Sequence, residues 1–246
     1  MTEMIDTLIS DRWTIKLPDH RANRFTDDGT PLWPTWEKER IAAMHDAVNP
    51  GDTVLDIGTE EGDISALLAT WVGDEGEICL FEPNPKVWPN IRAIWESNGL
   101  KIPKSFWVGF ASDVDDFTPP NLNIDMSIVD GWPKCAYGPL IGDHGFRHLA
   151  QEADATPQIK IDSFCSRNSV IPNLITIDIE GAELNALHGA REVLTKHKPL
   201  VFVSVHPEFM RELYGVGREQ VLSFMKSLGY DAELLATDHE EHWMFT

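Results

Sequence analysis

Val54-Leu55-Asp56-Ile57-Gly58-Thr59-Glu60-Glu61-Gly62 and, one helix-length further on, Ile78-Cys79-Leu80-Phe81-Glu82-Pro83 decide how this chain folds. Each begins as an unbroken apolar run, the pattern of a strand buried on both faces of a parallel sheet. The first run ends in Asp-x-Gly and the second in an acid. Glycine at position 58 lets the backbone come close to a ligand, and a carboxylate at position 82 accepts both hydroxyls of a ribose. Together they predict a nucleoside pocket at two adjacent strand ends.

Working outward, Ile64, Leu67, Leu68 and Trp71 repeat at helical spacing, and Gly73 stops that helix. After Glu82, Asn84 is expected to cap a second helix with Pro85 in its first turn, Ile91, Ile94 and Trp95 facing inward and Gly99 closing it. Residues 106–111 read as a third strand and 113–120 as loop. Residues 121–163 carry a weaker pattern, with short strands at 124–129 and 158–161, and are expected to form an insertion near the site. Alternation resumes with a strand ending at Asp178-Ile179-Glu180-Gly181, a helix bearing Leu184, Leu187, Ala190 and Leu194, and a strand over 200–206. A helix bearing Val221, Phe224, Met225 and Leu228 and two paired strands, 232–236 and 241–245, complete the chain. The result is an α/β fold with a mostly parallel sheet, helices on both faces and ligands beyond the carboxyl ends of the strands. Asp56, Glu82, Asp178 and His206 all lie at such ends.

Toward the other terminus, residues 1 to about 34 read as irregular because Pro18, Asp27-Asp28-Gly29, Pro31 and Pro34 interrupt any pattern. A helix is expected from Thr35, with Ile41, Met44, His45 and Val48 on one face. The domain reading is therefore an arm or lid plus helix over 1–49 and one domain over 50–246.

Composition narrows the function. A net charge of -20 over 246 residues argues against a broad phosphate-binding surface and so against nucleic acid. No apolar stretch approaches the roughly 20 residues of a membrane helix, and the first residues, Met-Thr-Glu-Met-Ile-Asp, lack a basic start and apolar core, so a cytoplasmic protein is expected. Three scattered cysteines, Cys79, Cys135 and Cys165, supply neither a disulfide framework nor a paired zinc motif. Oligomeric state is left open.

The runs VLDIGTEEGDIS, FEPNP and ITIDIEGAELNALHGAREVL, followed by PLVFVSVHPE, resemble the FkbM family of S-adenosylmethionine-dependent methyltransferases from about residue 50 onward. The resemblance implies a Rossmann-like class I methyltransferase fold, a seven-stranded sheet whose last strand is antiparallel, and methylation of a hydroxyl on a sugar or natural-product-like small molecule. It also implies a methionine end near Asp56, Ile57, Gly58 and Thr59, a ribose on Glu82 beside Pro83, and adenine near Phe110, Ala111 and Ser112. A sulfonium cofactor carries no phosphate, so the dinucleotide glycine spacing is not required. Its absence here disfavours an NAD-dependent alternative. Relatives commonly carry Lys where this chain has Thr176 and Glu where it has Ser204, which leaves a noncatalytic nucleoside-binding or scaffold protein as the competing class.

For the chemistry, Asp178 and Glu180 are expected to share a face and reach the pocket mouth, whereas Glu183 reads as an ordinary first-turn acid. His206, with an ordinary imidazole value near 6.5, is the expected base. Asp178 and His206, with Glu180 or Glu208, form a less favoured divalent-metal alternative. Trp33, Trp36 and Trp132 are candidates for an acceptor wall, and His144 and His148 read as solvated loop residues.

Overall fold

The computed structural model describes residues 3–23, 25, 37–117, 127–141 and 156–246. The chain starts with an antiparallel hairpin, β1 (Met4–Ile9) and β2 (Trp13–Pro18), where an irregular segment was expected. Ser10 and Asp11 both take the left-handed conformation, and Arg12 N donates to Ile9 O at 3.0 Å, which closes the turn without glycine. A single helical turn, α1 (Asp19–Ala22), follows, and α2 (Lys38–Ala47) supplies the expected helix with Ile41 and Met44 buried. Trp33, Trp36, His144 and His148 lie outside the described residues.

The next units are β3 (Thr53–Ile57), α3 (Asp63–Val72), β4 (Glu77–Phe81), α4 (Trp88–Ser97) and β5 (Ser105–Trp107). Asn84 does not cap α4. Its Oδ1 accepts from Lys86 N instead, and the helix begins at Trp88 with Pro89 in its first turn. The expected third strand divides: after β5 the chain turns, and β6 (Phe110–Ala111) leaves the main sheet. A small hairpin, β7 (Ile128–Val129) with β8 (Trp132–Pro133), comes next. Further on, β9 (Gln158–Ile159) pairs with β6, and α5 (Ile161–Asn168) begins at the last residue of the strand expected over 158–161.

The remainder is β10 (Leu174–Ile177), α6 (Glu183–Gly189), α7 (Arg191–His197), β11 (Leu200–Val205), α8 (Pro207–Tyr214), α9 (Arg218–Ser227), β12 (Ala232–Thr237) and β13 (Glu241–Phe245). The single helix expected after β10 is two, broken at Gly189, where a Cβ would stand 1.9 Å from Ser112 O. α8 was not expected.

Seven strands make one sheet in the order β12-β13-β11-β10-β3-β4-β5. Five are parallel, and the last strand of the chain, β13, runs antiparallel between β11 and β12. Helices cover both faces, and alternation along each strand sorts side chains into two cores. Leu55, Ile57, Cys79, Phe81, Ile175, Ile177, Val203 and Val205 pack toward the helices α5 to α9. Val54, Ile78, Leu80, Leu174 and Phe202 pack toward α2, α3, α4 and the N-terminal hairpin. Trp132 belongs to this second core, 5.4 Å from Phe106 and 3% exposed, so it packs rather than walling a pocket.

A polar row crosses the second face near the carboxyl ends. Asp56, Thr176, Ser204 and His242 are all buried, with Thr176 opposite Asp56 and Ser204 opposite His242 in the strand register. Polar groups so deep need partners, and the row sets the floor of the site.

Candidate active site

Two strand-to-helix turns face each other across this row. The first leaves β3 through Gly58 and Gly62, both left-handed, with Glu60 between them also left-handed at φ 52°. Glycine at 58 is required by the chain itself: a Cβ there would lie 1.8 Å from Asp178 O. That contact, rather than the approach of a ligand, decides the residue, and it locks the first turn against the second.

Asp56 is 4% exposed and accepts from Ser65 Oγ, while Thr59 Oγ1 donates to Asp56 O at 3.3 Å. Burial pushes its carboxyl up to about 6, against the pull of Ser65 and Arg40. Glu82, just past β4, accepts from Glu60 N at 3.0 Å through one oxygen and from Asn84 N at 2.7 Å through the other. Burial raises it to about 8, and Glu60 and Asp56 add to the rise while the two N–H groups oppose it. Asp56 and Glu82 therefore stand on the same edge of the sheet and sense each other. Pro83 is half-buried beside them. Glu82 N donates to Trp107 O at 3.0 Å, and Trp107 Nε1 to Phe110 O at 3.1 Å, which links this edge to Phe110, while Ala111 and Ser112 follow along β9, where Ser112 N donates to Ile159 O at 2.9 Å.

The N-terminal segment clamps this turn from outside. Arg21, 1% exposed, places both Nη groups on the Glu60 carboxylate at 2.7 and 2.6 Å, and its Nε and Nη2 on Asp63 Oδ2. His20 Nε2 and Asn90 Nδ2 meet Glu61 Oε2 at 2.7 and 2.6 Å. Every acid of the first turn thus has a cationic or N–H partner.

The second turn is different. Asp178 N donates to Ile57 O at 2.9 Å, Glu180 is left-handed at φ 56°, and Gly181 packs on Phe209. Asp178 and Glu180 do come together, through the turn rather than through strand alternation, since β10 ends at Ile177. Their oxygens stand 3.7 and 3.6 Å from His206 Nε2. Glu240, from the turn between β12 and β13, is closer at 2.9 Å. On the other ring nitrogen, fully buried Glu183 meets Nδ1 at 2.8 Å and also accepts from Gly181 N. Glu183 is therefore no mere helix-start acid. Glu208 is exposed on α8.

With carboxylates at hydrogen-bond distance from both ring nitrogens, His206 is held as the imidazolium. Burial alone would lower it, but Glu183, Glu240 and Asp178 push it up to about 12, far from the ordinary value expected of a free base. Burial raises Glu180 to about 7 against the pull of His206, and raises Asp178 with help from Glu240.

Arg40 of α2 reaches across to Thr176. Its Nη2 donates to Thr176 Oγ1 at 2.8 Å and its Nη1 to Asp178 Oδ2 at 2.9 Å, and Glu37 holds the same guanidinium. At the second departure, Ser204 Oγ and His242 Nδ1 are 3.0 Å apart, and His242 Nε2 faces Asp238 at 3.2 Å. Nothing in the sequence marks Arg21, Arg40 or Glu240, each of which arrives from a separate element, and Glu183 reads there as an ordinary helix-start acid. A lone arginine on a helix, or a lone glutamate in a hairpin turn, carries no local signal.

The comparisons agree with this architecture. The family model described as Methyltransferase FkbM domain matches residues 56–232. No curated protein matches. A crystal structure of Methyltransferase FkbM from Methylobacillus flagellatus KT is similar with a TM-score of 0.50 and 15% identity, covering 87% of this chain and 52% of that one. This chain thus spans about half the length of that relative. The fibrillarin/Nop5p complex structure gives a TM-score of 0.51 and 16% identity, covering 100% of this chain and 98% of that one. At these identities the likeness is one of fold: a class I methyltransferase-like sheet. With the family match spanning residues 56–232 of 246, the chain belongs to the FkbM methyltransferase family.

Proposed function

We propose that this protein transfers a methyl group from S-adenosylmethionine to a hydroxyl oxygen of a small acceptor, a sugar or natural-product-like molecule. The observation that carries the reading is Glu82: a carboxylate pinned by two backbone N–H groups at the end of β4, with lone pairs left over to accept ribose hydroxyls. The donor set fits a cationic cofactor, since Asp56 and Glu82 meet on one edge and the turn between them lacks the glycine spacing that cradles a pyrophosphate. Asp56, Ile57, Gly58 and Thr59 would hold the methionine end, Glu82 and Pro83 the ribose, and Phe110, Ala111 and Ser112 the adenine. Bound there, the cofactor supplies an electrophilic methyl on a sulfonium.

The chain's own task is alignment and removal of one proton. Because His206 has both nitrogens engaged, it orients the acids rather than accepting the proton. Glu180, with its side chain 32% exposed and 3.6 Å from His206, is placed to take the hydroxyl proton. Asp178, fixed on one oxygen by Arg40, positions the acceptor with the other. The acceptor O–H bond breaks to Glu180, the O–CH3 bond forms, and the S–CH3 bond breaks with its electron pair left on sulfur.

Transfer of labelled methyl from the cofactor to a panel of sugars and polyhydroxylated small molecules tests the reading. Labelled product that disappears in Glu180→Gln, with cofactor binding kept, is the expected result. Cofactor binding without turnover across the panel would instead favour a noncatalytic nucleoside-binding protein.

A further inference from the structure

We propose that Asp178, His206 and Glu240 form a binding site for one divalent cation of the Mg2+ or Mn2+ class, beside the methyl-donor pocket. Ligand atoms of these three residues lie within 4.8 Å of one another. In an octahedral shell with bonds of about 2.1 Å, neighbouring ligand atoms are about 3 Å apart. The contacts around His206 Nε2, 2.9 Å to Glu240, 3.6 Å to Glu180 and 3.7 Å to Asp178, are near that spacing before any ion has drawn them in.

Two further observations point to a ligand. Glu240 is 3% exposed, and its Oε2 meets both His206 Nε2 and His239 Nε2 at 2.9 Å, while its buried Oε1 has no hydrogen-bond partner among the described residues, with His242 Nε2 3.8 Å away, and is the oxygen a cation would satisfy. The histidine is also set as a metal ligand usually is: a buried carboxylate, Glu183, takes the Nδ1 side at 2.8 Å and fixes the ring so that Nε2 faces the acids. Asp178 keeps Oδ1 toward the cluster because Arg40 occupies Oδ2. One imidazole with carboxylate oxygens suits a hard-to-borderline ion that keeps open positions for water or a hydroxyl.

The two other acidic groupings that include Glu240 are poorer. Glu37 is tied to Arg40, and both oxygens of Asp238 face His242 at 3.2 Å. The ion would take the place of the proton on Nε2. Its use rests on the proposed methyl transfer: coordination of the acceptor hydroxyl acidifies it so that its proton passes to Glu180. Binding of the ion does not depend on that reading.

The test is Mn2+ titration of the full chain, following loss of the free-ion electron paramagnetic resonance signal, with S-adenosylmethionine affinity measured on the same sample. One Mn2+ per chain is expected, weakened at least tenfold in Glu240→Gln and in Asp178→Asn and unchanged in Glu208→Gln. No binding up to millimolar Mn2+, or equal binding by all variants, overturns the site. If Glu240→Gln fails to give a cooperative thermal transition, Asp178→Asn decides alone. Cofactor binding retained without Mn2+ binding defeats only the cation site, whereas Mn2+ binding without cofactor affinity defeats only the methyl-transfer reading.

Discussion

The β3–α3 turn and the β10–α6 turn are built alike and partnered differently. Each leaves the sheet through an acid in the left-handed conformation, Glu60 in one and Glu180 in the other, beside left-handed glycines. Non-glycine residues in that region cost energy and cluster where function holds them. In the first turn the acids are answered by Arg21, His20, Asn90 and two backbone N–H groups. In the second, Asp178, Glu180, Glu183 and Glu240 crowd the His206 imidazole, with Arg40 as a further cation on Asp178 and His239 at 2.9 Å from Glu240. A saturated turn is a preformed scaffold for a ligand. An acid-rich one is a place where a proton or a cation moves.

If that contrast is right, breaking the saturated side should cost most. Arg21→Ala strands Glu60 and Asp63 next to a buried vacancy and should lower stability by about 3–5 kcal/mol, the range for removing one partner of a buried ion pair, as read by urea unfolding. A loss under about 1 kcal/mol, the level of a surface pair, would show that Arg21 is not the clamp.

Gly58→Ala tests the lock between the turns. The left-handed backbone charges a Cβ roughly 1–2 kcal/mol and forced packing another 1–3 kcal/mol, and the obstacle, Asp178 O at 1.8 Å, is backbone that cannot step aside. A fall of at least about 2 kcal/mol by the same measurement is expected, together with a weaker Mn2+ site. An unaffected protein would mean that the two turns move independently.

Arg40 gives a finer probe. Thr176→Lys introduces the lysine that the family resemblance implies but sets a second buried cation against Arg40, and Arg40→Ala takes the guanidinium away from Glu37 and Asp178. Each single change should destabilise, and the double variant should recover about 1–3 kcal/mol of the summed loss, measured as a thermal double-mutant cycle. Strict additivity would show that Arg40 does not stand in for the missing lysine.

The smallest effect is one of pH. Glu82 sits at about 8 in the folded chain against an ordinary 4.5, so the folded state binds this proton more tightly than the unfolded one. Its contribution to stability is full below about 4.5 and is lost as pH rises through about 8. The melting temperature of the wild type relative to Glu82→Gln should therefore fall between pH 5 and pH 9. Affinity for the methyl donor should run the opposite way and rise through pH 8, because ribose hydroxyls need the carboxylate. A flat difference in either profile removes Glu82 from that role.

The same contrast explains what was legible in the sequence. β3, β4, β10 and β11 are buried on both faces, so each is a mainly apolar run with an acid or histidine at or just beyond its end, and the carboxyl edge of the sheet could be read directly from them. The β1–β2 hairpin was not legible because its turn uses Ser10 and Asp11 where Asn-Gly is the usual signal. α5 was hidden by Ile159-Lys160-Ile161, which alternates like a strand, although Ile161, Phe164 and Cys165 carry the helical spacing. α8 begins at Pro207 and buries Met210 alone, too little for a periodic pattern. Around the second turn Asp178, Glu180, Glu183 and His206 lie on local motifs, although the spacing of Glu183 reads as that of an ordinary helix-start acid. Glu240 and Arg40 reach the cluster from opposite ends of the chain, and no local pattern encodes a meeting of that kind.

Isothermal titration of the full chain with S-adenosylmethionine bears most directly on the claim that a cationic methyl donor sits where Asp56 and Glu82 meet. One molecule bound per chain, with affinity reduced tenfold or more in Glu82→Ala and the fold intact, is the predicted result. An affinity indifferent to Glu82, or no binding by the folded wild type, would contradict it.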